Sequence, residues 1–291
     1  MATITVGREN STPIELSYED HGSGPVVVLL HGWPVDSRSW EPQLHPLLQA
    51  GFRVVTYDRR GFGRSSRPAT GYDFDTLAAD LDAVLTHLDL RDVAVVGFSL
   101  GTGELARYVG RYGTQRLRCS VFIESLAPSF VKSDENPTGV DAAGVAGVQQ
   151  AVLADRFAWL TGLVGDFLNL DDYLGKRVSE DTVRALWNAG AEASPEATWA
   201  CPQGWLEDFS TDITRLDVPT LVLHGTADRI LPVAGQGRRL HAALPQARYV
   251  EIDGGPHVMT VTHADAVNRE LLAFLADPSA ATDPSAATGR A

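Results

Sequence analysis

Gly97-Phe98-Ser99-Leu100-Gly101 is the string with the clearest chemical potential in this chain. It directly follows an apolar, valine-rich run, Val93–Phe98, and directly precedes a segment of helical character, 101–112. A sharp strand-to-helix turn needs small residues on both flanks, because neighbouring backbone comes close there. Such a turn lifts the serine hydroxyl above the sheet and places the free N–H groups and positive dipole end of a helix behind it. A serine hydroxyl is a weak nucleophile near neutral pH and needs a base beside it. His257, in Gly254-Gly255-Pro256-His257, is the candidate base. A lone loop histidine is usually a plain surface residue, but this one follows the last strand-like segment, as Ser99 follows an earlier one. The C-terminal edge of a parallel sheet is where catalytic groups collect. An imidazole in that role needs an acid to fix its tautomer and stabilise its charged form. Asp228, in His224-Gly225-Thr226-Ala227-Asp228-Arg229, follows the preceding strand-like segment and is the candidate acid. Asp253 is its rival, nearer to His257 in sequence, but at the end of its own strand it reads as a cap or a solvent-facing group.

Attack by Ser99 would create a tetrahedral intermediate with a negative oxygen, which two backbone N–H donors stabilise by several kcal/mol. Leu100, next to the nucleophile, is one expected donor. Trp33, in His31-Gly32-Trp33-Pro34 after the first buried strand, is the other; Pro34 has no N–H to give. His31 is better read as a brace for that loop than as a base.

These groups must be held by a frame, and the pattern of apolar residues describes one. Segments 14–18, Val26–Leu30, Arg53–Tyr57, Val93–Phe98, 118–123, 220–223 and Arg248–Ile252 read as strands. Segments 40–49, 75–88, 101–112, 236–243 and 264–275 read as helices. Strands alternating with helices imply a mostly parallel central sheet with helices on both faces. The alternation stops after Ala127-Pro128. From 129 to 216 helical patches (151–168, 181–189) and four tryptophans, Trp159, Trp187, Trp199 and Trp205, replace it. The expected organisation is therefore a core of 1–128 and 217–276, a helical lid of 129–216 inserted into it, and a flexible tail, 277–291, in which Asp-Pro-Ser-Ala-Ala-Thr occurs twice. Lid aromatics read mainly as packing residues. A share of them is expected to line an apolar acyl pocket, for which Trp33, Phe157, Phe167, Trp205 and Val258 are the candidates.

The 291 residues, 44% of them hydrophobic, suffice for one sizeable core with a lid. A net charge of −13 with no basic stripe argues against a nucleic-acid partner. The two cysteines, Cys119 and Cys201, match no metal or redox spacing. No apolar stretch approaches the ~20 residues that span a bilayer, and no signal-peptide pattern is visible. The expectation is a cytoplasmic protein without membrane partner, metal or cofactor, acting on a small molecule. Arg60-Gly61-Phe62-Gly63-Arg64 is a weak echo of a nucleotide loop and reads better as a tight turn.

His31-Gly32-Trp33-Pro34, Tyr57-Asp58-Arg59-Arg60-Gly61-Phe62-Gly63-Arg64-Ser65-Ser66, Gly97-Phe98-Ser99-Leu100-Gly101-Thr102-Gly103-Glu104 and His224-Gly225-Thr226-Ala227-Asp228-Arg229 together resemble the bacterial cofactor-free (non-haem) chloroperoxidases and bromoperoxidases, an esterase and perhydrolase group of the α/β-hydrolase superfamily. The likeness spans roughly residues 1–275, and its chain order, Ser then Asp then His, is that of the α/β-hydrolase fold. The resemblance implies that Ser99 is acylated by a short carboxylic acid or ester and that hydrogen peroxide then displaces the acyl group as a peracid, which oxidises halide in solution. It also implies Ser99, Asp228 and His257 as triad, the N–H groups of Trp33 and Leu100 as oxyanion hole, and a homo-oligomer, often a trimer. Leu100 stands where the family usually has methionine, and Val258 where it usually has a smaller residue, which would narrow the pocket. A lactonase or carbon–carbon bond hydrolase is the alternative on the same scaffold, and a ligand-binding protein on a retained hydrolase scaffold is the alternative outside enzymes.

Overall fold

A computed structural model describes residues 2–279. Eight strands form one sheet: β1 (Ala2–Glu9), β2 (Thr12–His21), β3 (Val26–Leu30), β4 (Arg53–Tyr57), β5 (Val93–Phe98), β6 (Leu117–Ile123), β7 (Thr220–Gly225) and β8 (Arg248–Ile252). Their spatial order is β1-β2-β4-β3-β5-β6-β7-β8. β1 and β2 pair antiparallel, as do β2 and β4, and every other pairing is parallel. All six residues of β5 are buried, which is why its apolar run is unbroken: it has a helix layer on each face.

The helices are α1 (Glu41–Gln49), α2 (Phe74–His87), α3 (Leu100–Tyr112), α4 (Ala142–Leu168), α5 (Leu170–Tyr173), α6 (Glu180–Glu192), α7 (Pro195–Ala200), α8 (Ser210–Ile213), α9 (Gly237–Ala243), α10 (Met259–Thr262) and α11 (Ala264–Ala276). The two faces of the sheet carry two apolar clusters. One joins β3 and β5 to α2 and α3 through Leu30, Val95, Leu81 and Leu105; the other joins them to α1 and α11 through Leu29, Val96, Leu47 and Leu271. Between β6 and β7 the chain builds helices and short bridges, and Trp159 and Trp205 of this helical insertion pack on Trp33, in the loop after β3. Among the described residues no helix is long and apolar enough to cross a membrane.

Three differences from the sequence reading have local causes. β1 carries little apolar signal because it is an edge strand in which Ile4 is its buried residue. The long insertion helix starts at Ala142, nine residues before the expected start, and is broken at Asp155 (φ −159°, ψ 91°), whose carboxylate caps the second half by accepting from Ala158 N at 2.9 Å. Trp40 ends a short 3₁₀ turn, Ser37–Trp40, instead of opening α1. The tail expected to be flexible lies, from residue 280 onward, outside the described residues.

Candidate active site

Ser99 sits at the junction of β5 and α3 with φ 52° and ψ −119°. A left-handed φ at a residue with a Cβ is strained and persists only where the surroundings enforce it. The flanking glycines show how they do. A Cβ on Gly97 would lie 2.6 Å from Gly101 O, and one on Gly101 would lie 2.5 Å from Leu30 O, so the turn closes only with glycine at both places. Thr102 locks it further: its hydroxyl donates to Ser99 O at 2.6 Å and accepts from Leu126 N at 2.9 Å.

His257, on the loop between β8 and α10, places Nε2 3.0 Å from Ser99 Oγ and Nδ1 2.8 Å from Asp228 Oδ2. A carboxylate can only accept, so Nδ1 carries the proton and Nε2 is free to take one from the serine. The imidazole is buried between the rings of Phe98 and Phe167, at 5.3 and 5.0 Å. Asp228 Oδ1 accepts from Ile230 N at 2.7 Å and Leu231 N at 2.9 Å, which orients the carboxylate. Burial alone would raise the Asp228 carboxyl; the charge of His257 and its hydrogen bond outweigh that and hold it below the usual carboxylate range. Asp253 is not at this site: it accepts from Thr226 Oγ1 at 3.4 Å and lines a separate open groove with Arg177 and His263.

Trp33 and Leu100 border the same cavity as Ser99 and His257. Among the described residues neither backbone N–H is hydrogen-bonded, as expected of Leu100 in the first turn of α3. Their spacing is fixed from below. Arg59, buried to 1% exposure, donates through its guanidinium to Glu104 on α3 and to His31 O on the loop after β3. Tyr57 OH donates to the other Glu104 oxygen. His31 Nε2 accepts from Arg59 N at 3.1 Å, so its Nδ1–H donates to Gly32 O at 2.7 Å. Burial, reinforced by the Arg59 charge, holds His31 well below the usual histidine range, so it is a neutral brace. Glu104→Ala should cost about 3–5 kcal/mol, because Arg59 stays buried without its partner. Urea denaturation measures this, and a loss under ~1 kcal/mol would mean that the network does not hold the loop.

The cavity over Ser99 has a volume of about 260 Å³. Trp33 packs against Trp159 at 5.4 Å and edge-on against Trp205 at 5.1 Å, so the insertion forms its roof. Phe130, Leu163, Phe167, Ile230 and Leu231 are among the residues of its apolar wall. Two residues expected there are elsewhere. Phe157 is 50% exposed, packs on Trp187 at 5.9 Å and lies under Arg156. Trp159, Leu163 and Phe167 form the cavity-facing row of α4, and Phe157 is turned about 200° from Trp159. Val258 is buried behind His257, where its N–H donates to Phe167 O at 2.8 Å. It does not line the cavity, and its link to Phe167 is made by the backbone, not by the side chain. Phe130 went unnoticed in the sequence, as did Ile230-Leu231, although an apolar pair just after the candidate acid in a polar loop is a readable signal.

Behind Asp228, Glu124 at the end of β6 and His224 on β7 are fully buried, and one ligand-type atom from each of the three lies within 4.8 Å of the others. His224 Nε2 approaches Leu231 O at 2.7 Å, so this nitrogen carries a proton. Burial pushes His224 below the usual histidine range.

A family model described as alpha/beta hydrolase fold matches residues 25–264. The chain belongs to the alpha/beta hydrolase family. Within the family it is similar to the non-heme chloroperoxidase CPO-A1 of Kitasatospora aureofaciens, 38% identical over 265 residues that cover 90% of this chain and 96% of the relative. It is 32% identical to the bifunctional esterase/perhydrolase DCH of Acinetobacter calcoaceticus over 266 residues, covering 90% and 96%. Among solved structures, the bromoperoxidase from Bacillus anthracis superposes with a TM-score of 0.90 at 42% identity, covering 95% of this chain and 99% of that one. The resemblance read from the sequence motifs is thus a resemblance along the whole fold of this alpha/beta hydrolase.

Proposed function

We propose that the protein is a serine hydrolase of small carboxylic esters that also runs cofactor-free perhydrolysis, with Ser99 as nucleophile, His257 as general base and Asp228 as the acid behind it. The observation that carries this is the relay of 3.0 Å from Ser99 Oγ to His257 Nε2 and 2.8 Å from His257 Nδ1 to Asp228 Oδ2, opening into an apolar cavity. His257 takes the Ser99 proton as Oγ attacks the acyl carbon. The N–H groups of Trp33 and Leu100 bind the oxyanion, and His257 returns the proton to the departing alcohol, or to hydroxide when the donor is a free acid. The acyl-enzyme is then cleaved by water or by hydrogen peroxide, each losing a proton to His257. His257 hands that proton to Ser99 Oγ as the acyl bond breaks, so peroxide gives a peracid and free Ser99, and the peracid oxidises bromide to hypobromite, becoming the carboxylic acid again. That last step happens in solution and needs no halide site. The names of the two relatives and of the B. anthracis structure support the peroxide branch.

With acetate, hydrogen peroxide and bromide, the protein should brominate monochlorodimedone slowly. The rate should depend on the carboxylate and survive a chelator, because every group used above belongs to the chain. Good turnover of p-nitrophenyl esters with no bromination would limit the protein to ester, lactone or carbon–carbon bond hydrolysis, and labelling by a fluorophosphonate separates a live nucleophile from a binding scaffold. The helical insertion acts as the lid that keeps bulk water from the acyl group, and 129–216 is the unit we assign to it. We further place the protein in the cytoplasm, which suits two buried free thiols, Cys119 and Cys201, and expect a homo-oligomer, a trimer on the resemblance, to be read by light scattering.

A further inference from the structure

Glu124 follows directly on β6, a strand whose last five residues are buried, and its carboxyl has no access to water. Nothing in the acyl-transfer steps uses it. Its backbone is left-handed, with φ 49°, a conformation that costs energy at a residue with a Cβ and holds the side chain at one place. Oε1 accepts from Gly225 N at 2.9 Å. Oε2 has no donor aimed at it with hydrogen-bond geometry: His224 Nε2 is 3.0 Å away, but its proton is directed to Leu231 O. A buried carboxylate oxygen without a donor costs several kcal/mol, whereas a carboxylic O–H at the same place needs only an acceptor. The neighbouring acceptor is the carboxylate of Asp228, an oxygen of which lies within 4.8 Å of a Glu124 oxygen and which acts on the Glu124 carboxyl through its charge and a hydrogen bond.

We propose that Glu124 is a positioning residue of the catalytic relay: a neutral carboxylic acid that donates its Oε2 proton to Asp228 and so fixes the carboxylate that orients His257. This rests on the triad assignment above. The groups facing Glu124 are His224 and Gly225 at the end of β7, Asp228 on the loop that follows, and beyond Asp228 the imidazole of His257; Glu251 on β8 acts on His224 from the far side. None is a fixed cation beside Glu124. Burial, then the negative charge of Asp228, hold its proton on well above the usual carboxylate range. The arrangement leaves one charge in the pair, on Asp228, whose Oδ2 lies 2.8 Å from His257 Nδ1. Were both carboxyls ionised, two like charges would share a dry site, which raises one of the two pKa values strongly in any case.

Two substitutions and one spectrum test this. Glu124→Ala removes the donor, a charge-assisted bond whose loss should lower kcat/KM about 10- to 100-fold. It should also move the acid limb of the kcat/KM–pH profile upward, because Asp228 then stabilises the imidazolium of His257 more. Glu124→Gln keeps a neutral donor toward Asp228 and a carbonyl for Gly225 N, so it should restore most of the rate with the acid limb where wild type has it. If Glu124 were ionised, Glu124→Gln would remove a negative charge and lower the acid limb by about one unit, which would overturn the proposal. The infrared difference between wild type and Glu124→Gln at neutral pH should show the loss of one protonated-carboxyl C=O band and no loss of carboxylate bands. Loss of a carboxylate band instead would overturn the proposal too. The infrared arm reads the proton directly, so it decides the state of Glu124 even if wild type turned over no ester and the triad assignment failed.

Discussion

Ser99→Ala is expected to lower kcat for short p-nitrophenyl esters by a factor on the order of 10⁶, as loss of a triad nucleophile does, and to leave the melting temperature nearly unchanged. The two halves of this expectation have separate causes. The hydroxyl is the atom that His257 Nε2 reaches at 3.0 Å, and no other hydroxyl or thiol is bonded to that nitrogen among the described residues. The fold does not depend on the same atom. The β5–α3 turn is held by the close approach of Gly97 and Gly101 and by Thr102 on the Ser99 carbonyl, and alanine keeps all three. Bromination with acetate and peroxide should vanish together with esterase activity, because both pass through the same acyl-enzyme. Near-normal ester turnover in Ser99→Ala would show that another residue attacks. Loss of esterase with bromination intact would show that the peracid arises elsewhere.

How much of this was visible in the sequence depends on whether a residue's role is set by its neighbours along the chain or by distant ones. β3, β5 and the turn at Ser99 are local: a two-sided buried strand must be apolar throughout, and the elbow must have glycine on both sides. The same holds for His257 and Asp228, which follow strands at one edge of the sheet. β1 was invisible because an edge strand needs few apolar residues. The break at Asp155 was hidden because a helix interior and a helix cap can carry the same residue. Phe157 was misread because its composition says aromatic lid while its place on α4, turned away from the row of Trp159, Leu163 and Phe167, says otherwise. Val258 is buried away from the cavity, its N–H on Phe167 O about ninety positions earlier, and no spacing rule connects them. Glu124 left a trace that went unused: an acidic residue directly after a buried strand, at the edge where Ser99 also lies.

Arg59 and Glu104 explain why the motif after the nucleophile runs on past the elbow. Gly-Thr-Gly-Glu after Leu100 opens the helix read from the sequence over 101–112 and found as α3. In the fold Thr102 ties the turn to Leu126, and Glu104 receives Arg59 and Tyr57. One ion pair thus fixes the start of α3 and the loop after β3 relative to each other, and with them the two N–H groups assigned to the oxyanion. A donor displaced by an ångström loses most of its effect on the transition state, so under the proposed mechanism this buried pair would serve the rate as well as the fold.

Asp228→Asn is the expectation that most directly separates an orienting acid from a merely buried one. The amide can present its NH₂ to His257 Nδ1, which then holds the tautomer with the proton on Nε2 and leaves no base for Ser99. The loss should be on the order of 10⁴ in kcat, by analogy with triads in which this exchange leaves the geometry intact. Folding should survive, since the amide oxygen still accepts from Ile230 N and Leu231 N, and circular dichroism checks that before any rate is read. Asp253→Asn is the control. It bonds Thr226 at 3.4 Å in an open groove, and its loss should change kcat by no more than about twofold, as for a surface substitution. If Asp253→Asn proved crippling and Asp228→Asn mild, the acid would be Asp253 and His257 would have to turn away from Asp228 during turnover. If both were mild, His257 would be held by Phe98 and Phe167 alone, and the relay behind it would be a feature of folding and not of rate.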